Sequence, residues 1–307
     1  MAFNPNKVDL VDQDEIEEIG LRFPGVIYMN GNPKMAPKKG QPAGMSYRGG
    51  FFISDEALPG KDLAEYGWEE ESFVNSKNKT VTGWYRHDIE LLHIVRRRRW
   101  TVQDAAGNSL YFAWPEWEKA KAVGHMRSQQ QSIVIIRGLE VFGPFCFTLS
   151  GYTQILFNGE NEFRPVGCLS RHNDTIIAKA NEETKKATPN GVKAKRWDHW
   201  AFWLKVAAAE KNGVPVFNQV GQGQNTSMIT YIEPLDLPAT MKEVTQEILE
   251  AAAIDDDHFA LVAEAQATLK ANQWKEAWKA FVPVKATKTE GEELEEADKD
   301  YASAQGF

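Results

Sequence analysis

Within the first 234 positions, several short segments carry the apolar patterning of strands, with successive side chains on opposite faces, rather than helical spacing. On this basis 24–30, 47–54, 81–87, 89–102 and 109–114 are expected strands, with a hairpin turn at 105–108. Residues 132–137 and 145–149 are strongly apolar and predict buried strands. The aromatic density of 197–206 favours another strand, and 214–220 with 226–233 predict two more around the glycine turn at 221–223. Segments 33–44 and 184–194, rich in Pro, Gly and Lys, predict loops. Residues 116–123 suit one or two helical turns, and 152–157 open a helix that resumes through 176–183. After Pro234 the period changes. Segments 239–253 and 258–281 are Ala-rich with helical spacing, and Asp255, Asp256 and Asp257 sit between them as an N-cap region.

These elements predict an α+β, β-rich fold. Strands and helices do not alternate as in a doubly wound sheet, so an oligonucleotide-binding-type barrel with insertions, followed by a C-terminal helical pair, is expected. The expected units are an acidic N-terminal arm (1–22), a β-rich binding domain (23–234), a helical hairpin (235–283) and a disordered acidic tail (284–307).

Composition narrows the functional classes. Hydrophobic residues make up 42% of the 307, enough for a core. The two cysteines, Cys146 and Cys168, form no CxxC pair, which argues against a disulfide framework or a thiolate zinc site. The polar, acidic first twenty positions predict no secretory leader, and no run reaches the ~20 apolar residues of a membrane span, so a cytoplasmic protein with no membrane partner is expected. A net charge of -8 opposes nucleic-acid binding. Its distribution matters, however: two lysines against seven acids give 286–307 a net of -5, so the remaining residues carry only -3.

The centre of the chain holds runs of basic and aromatic residues. The first joins Trp84, Tyr85 and Arg86 to Arg96, Arg97, Arg98, Arg99 and Trp100. Single-strand binders use cations for phosphates and aromatic faces for bases, which every base can stack on. Strand alternation places Arg96 and Arg98 on one face and Arg97 and Arg99 on the other, and four consecutive arginines require at least one face to meet solvent or ligand. An edge strand guarded by charge is the structural alternative. A second run, Lys193, Lys195, Arg196 and Trp197, leads into Trp200, Phe202 and Trp203, which read mainly as core. A third candidate is Arg127, beside Gln129, Gln130 and Gln131, in what reads as a turn or edge entering the strand at 132.

Catalytic motifs are missing. The six histidines show no close ligand spacing, the glycines at 221 and 223 lack the lysine of a phosphate loop, and Gly-x-Ser-x-Gly does not occur. No catalytic residue, metal ligand or cofactor is therefore assigned. Trp274 and Trp278, four apart, read as a packing face or as a contact in a homo-oligomer.

The C-terminus carries Glu292, Glu293, Glu295 and Glu296 and ends in Phe307. An acidic tail with an aromatic tip resembles bacterial single-stranded DNA-binding proteins and, in size and single-chain build, the T7-like phage members of that group. The resemblance implies sequence-tolerant binding of single-stranded DNA, with RNA not distinguished. It also implies docking of replication or recombination proteins by those glutamates and Phe307, and a role in replication, recombination or repair of a phage or mobile element. The chain departs from the pattern in placing six non-acidic residues between Asp300 and Phe307, and in its greater length. The competing expectations are a structural or assembly protein, such as a virion component, that ignores nucleic acid, and an enzyme whose site is assembled from distant segments.

Overall fold

A computed structural model describes residues 23–74, 79–103, 109–159, 167–220, 227–272 and 274. The arm at 1–22, the turns at 105–108 and 221–223, residues 275–281 of the second expected helix and the tail at 284–307 lie outside the described residues.

The strands are β1 (Gly25–Met29), β2 (Gly50–Ser54), β3 (Glu69–Val74), β4 (Thr80–Arg86), β5 (Asp88–Gln103), β6 (Ser109–Ala113), β7 (Met126–Ile136), β8 (Phe145–Ser150), β9 (Leu204–Ala208), β10 (Glu210–Lys211), β11 (Val214–Pro215), β12 (Phe217–Val220), β13 (Ser227–Thr230) and β14 (Ile232–Pro234). Ten of them form one sheet in the order β14-β9-β5-β7-β8-β1-β2-β4-β3, with β6 also on β5. The β1–β8 pair is parallel and the other pairs antiparallel. The fold is thus mixed α+β around a large sheet. No described pairing joins β14 to β3, so the barrel expected from the sequence is not closed by these pairings.

β5 is the spine. Its 16 residues pair with β7 on one side, and with β9 at Asp88–Leu91 and β6 at Arg99–Gln103 on the other. One sheet face holds the main core, including Val26, Tyr28, Phe51, Ile53, Leu91, Val134 and Phe147. The alternate residues of the same strands, Ile27, Met29 and Phe52, join Tyr85 in a second cluster on the opposite face. Burial on both faces explains why β2 (GFFIS) is apolar without alternation.

The helices are α1 (Met45–Arg48), α2 (Trp117–Val123), α3 (Gly151–Asn158), α4 (Cys168–His172), α5 (Ala178–Ala187), α6 (Gln246–Ala252) and α7 (Asp256–Ala271). A π-helical turn, Asn173–Ile177, joins α4 to α5. Asp255 caps α7 by accepting from the His258 N–H, as the aspartate run predicts. α7 buries Val262, Ala265 and Leu269 and packs on the sheet, Val262 with Leu92, Ile135 and Trp203, and Leu269 with Ile133 and Trp274.

Several local expectations are corrected. Strand β7 begins at Met126 and pairs with β5 and β8, so 126–131 is neither turn nor edge, and its buried amides are held by Arg97, Arg99 and Asn158. Only Leu204–Ala208 of the expected strand 197–206 is strand; His199–Ala201 is a 3-10 turn capped by Asp198, which accepts from the His199 N–H. Residues 45–48 are helix, and Gly49 and Gly50, at φ 75° and 143°, turn the chain into β2. α5 extends to Ala187, into the expected loop. The segment before Gln246 is not α-helix, since Thr245 caps α6 by accepting from the Ile248 N–H. β3 escapes the pattern because three of its six residues are glutamate. No helix among the described residues is long and apolar enough to cross a membrane.

Candidate nucleic-acid interface

The β5–β7 register sets arginines against polar partners: Arg96 opposite Ser132, Arg97 opposite Gln131, Arg98 opposite Gln130, Arg99 opposite Gln129 and Trp100 opposite Ser128. Directly opposed residues share a face. Arg97 and Arg99 therefore lie on one side, and Arg96, Arg98 and Trp100 on the other, as alternation predicts.

The first pair is structural. Arg97 donates to Gln131 Oε1 from Nε and Nη2, at 3.1 and 2.9 Å, and to the Trp274 carbonyl at 2.8 Å. Its guanidinium also lies 3.9 Å over the Trp274 ring. Arg99, 3% exposed, donates to Gln129 Oε1 and lies 3.9 Å over the Tyr111 ring. These two arginines tie the residues after α7 and strand β6 to the sheet.

The other face leads from the core to the surface. Asn158, at the end of α3, accepts from Arg96 Nη1 at 2.9 Å and from Gln130 Nε2 at 3.2 Å, and donates back to Gln130 Oε1 at 2.6 Å. Arg96 is still exposed. Burial lowers the Arg96 pKa, and burial followed by repulsion from Arg96 lowers that of Arg98. Both guanidinium groups remain charged at neutral pH.

Beyond Arg98 is a tryptophan shelf. Trp100 and Trp114 stack at 4.2 Å with planes 9° apart, and Trp100 Nε1 donates to the Trp114 carbonyl at 2.8 Å. The Arg98 guanidinium is 5.4 Å from the Trp114 ring centre. Trp114 and Trp117 are 38% and 45% exposed, high for side chains of this size. The turn carrying them is fixed by Pro115 and by Glu116, which accepts from the Ala113 N–H at 3.0 Å and from Lys119 Nζ at 2.6 Å. Arg127 is half-buried on β7 opposite Thr101, and so lies on the Arg97–Arg99 side of the sheet rather than with Trp100.

The sequence did not single out Trp114 and Trp117. Their signal was available: two tryptophans three apart around a proline, directly after a strand, share one face of the first helical turn.

The remaining site candidates lie elsewhere. β4, bearing Trp84, Tyr85 and Arg86, runs through His87 into the Asp88 end of β5, whereas Arg98 lies ten residues further along β5, about 33 Å at ~3.3 Å per residue. Tyr85 is 1% exposed and donates to the Gly49 carbonyl at 2.8 Å, so no base reaches its ring. Trp84 packs on the main core, and Arg86 Nη1 donates to the Tyr66 carbonyl at 3.1 Å. Lys193, Lys195 and Arg196 are exposed, while half-buried Trp197 joins a separate cluster with Ile176, Phe202 and Leu249. His199 of that segment packs on His93, seven residues from Trp100 along β5, or about 23 Å. The three basic-aromatic runs do not form one surface. Glu292, Glu293, Glu295, Glu296 and Phe307 lie outside the described residues.

A buried polar cluster bears on the enzyme alternative. His93 Nε2 is 3.2 Å from Ser132 Oγ, a spacing suited to a base and a nucleophile. Ser132 is fully buried, however, and is also held by Gln130 Nε2 at 3.0 Å, so the pair presents no surface to a substrate. His172 Nδ1 and His199 Nδ1 are 3.2 Å apart. Burial, then the neighbouring His199, pushes both His93 and His172 down to about 3, so they are neutral at physiological pH. Among the described residues no three His, Cys, Asp or Glu side chains are placed to hold a metal ion. Burial raises the Cys168 thiol above its ordinary range, and Sγ donates to the Ile232 carbonyl at 3.7 Å, a structural role.

No protein-family model matches the chain, and neither does any curated protein or solved structure.

Proposed function

We propose that this protein binds single-stranded nucleic acid, DNA before RNA, without sequence preference and without catalysis. The Arg98–Trp114–Trp100 stack, next to exposed Trp117, is the observation that carries this reading. Tryptophan faces accept any base, each stacked base contributing ~1–3 kcal/mol. Arg96 and Arg98 supply positive charge along the same face of β5 for the intervening phosphates. The sheet then serves as an oligonucleotide-binding-type surface, with the strand passing over its β5–β6–β7 end rather than over β4.

The acidic tail fits the same proposal as a competitor for this cationic stretch and as a docking arm for replication or recombination proteins, in a cytoplasmic setting and in the service of a phage or mobile element. Titration with oligothymidylate, followed by tryptophan fluorescence, tests the proposal. Saturable quenching that Trp114→Ala reduces supports it; no quenching by the intact chain at low salt removes it and favours the assembly protein.

A further inference from the structure

A cleft lies between α5, the segment 195–202 and the α6–α7 corner. Its volume is about 490 Å³, within the ~300–1,000 Å³ of sites that take small ligands or a few side chains. Trp197 forms one wall and is fixed in place. Its backbone N–H donates to Asn181 Oδ1 at 2.7 Å, and its indole Nε1 donates to Thr184 Oγ1 at 2.8 Å. Phe202 meets the same ring nearly edge-on at 6.1 Å. Phe259, in the first turn of α7, lines the opposite side and is 43% exposed.

A cation already sits between these walls. Lys195 Nζ is 4.0 Å from the Trp197 ring centre and 5.7 Å from that of Phe259. Both separations fall within the ~6 Å over which an aromatic face attracts an ammonium group. The lining also carries Glu183, Glu250, Asp255 and Asp256. Lys179 and Lys186 engage Glu183 at 2.8 and 3.1 Å, and His258 engages Asp255. Among the described residues no ion pair engages Glu250 or Asp256. The cleft thus combines aromatic walls, an apolar floor at Leu249 and surplus negative charge. Phosphates would meet these carboxylates unfavourably, so nucleic acid is the wrong ligand here.

We infer that this cleft binds a basic peptide segment of a partner protein, seating a lysine or arginine between Trp197 and Phe259 where Lys195 Nζ now lies. Lys195 is an internal stand-in that the incoming side chain displaces. Glu250 and Asp256 take up the ligand's further positive charge, and its apolar neighbours cover Leu249 and Phe202. Trp197 and Phe259 therefore recognise peptide rather than DNA, at a site separate from the tryptophan shelf.

The test is calorimetric titration of the full chain with the probe acetyl-Ala-Leu-Lys-Leu-Lys-Ala-amide, and with the same peptide carrying Glu in place of Lys. Saturable binding of the lysine peptide alone is expected. It should weaken about fivefold or more in Phe259→Ala and in the double variant Glu250→Gln, Asp256→Asn, and strengthen in Lys195→Ala. Phe259 is exposed, so its replacement leaves the fold intact, which circular dichroism checks. Absence of saturable binding, equal binding of the glutamate peptide, or affinity unchanged by Phe259→Ala or by Lys195→Ala overturns the inference. None of these outcomes bears on single-strand binding, which uses other residues.

Discussion

Trp100 on β5 and Trp114, in the turn directly after β6, lie face to face, 4.2 Å apart and 9° from parallel. One indole is half-buried and the other exposed, so the stack offers its outer face to solvent from a fixed base.

Removing that outer face should affect binding more than stability. Trp114→Ala is expected to weaken binding of a single strand about tenfold, within the ~1–3 kcal/mol of one stacked base. The loss in stability should stay near the ~0.5–1.5 kcal/mol of an aromatic pair. Anisotropy titration and urea unfolding of the same sample separate the two effects.

Neighbouring arginines should behave oppositely. Arg97 bonds Gln131 and covers Trp274, whereas Arg98 faces the shelf. Arg97→Met is expected to cost about 1–3 kcal/mol in urea unfolding and to leave binding nearly unchanged. Arg98→Met should do the reverse, and should flatten the dependence of affinity on salt.

Acid should destabilise the fold through its histidines. His93 and His172 are pushed down to about 3 by burial, from 6.5 when solvated. The unfolded chain takes up those protons first, so their contribution is intact above pH 6.5 and declines as pH falls from 6.5 towards 3. Each site adds a slope of up to ~1.4 kcal/mol per pH unit within that window. Urea midpoints between pH 7 and pH 4 measure it, and His93→Asn should make the decline shallower.

Neutralising the tail should tighten binding. Replacing Glu292, Glu293, Glu295 and Glu296 by glutamine removes four negative charges, the ones proposed to compete with phosphate. Affinity for a single strand is expected to rise at low salt and to converge with that of the parent at high salt, where screening is strong. Equal affinity at low salt would remove the tail from the proposal.

How much of this was legible in the sequence depended on which faces of each strand are covered. β1, β4, β5, β6 and β8 stand out because apolar positions alternate or run unbroken. The first half of β7 does not, because Gln129, Gln130 and Gln131 are buried against Arg99, Asn158 and Arg97, and buried amides look like a turn. The aromatic run at 197–203 looked like strand, yet its rings pack between helices and against β5. At the site, the division of the four arginines between two faces followed from alternation alone. Whether Trp84, Trp100 and Trp197 meet is a question of tertiary arrangement, which local pattern does not encode. Trp84 and Trp100 lie far apart along the run of β4 into β5, Trp197 lies off the sheet, and Trp114 and Trp117 come forward instead.

Fluorescence anisotropy with a labelled single strand of roughly 30 nucleotides, at about 50 and about 200 mM salt, tests the central claim most directly when the parent chain and the double variant Arg98→Met, Trp114→Ala are compared. The account predicts binding by the parent that weakens with salt, and a loss of about tenfold or more in the variant. Equal affinity of the two proteins, or no binding by the parent at the lower salt, would contradict it.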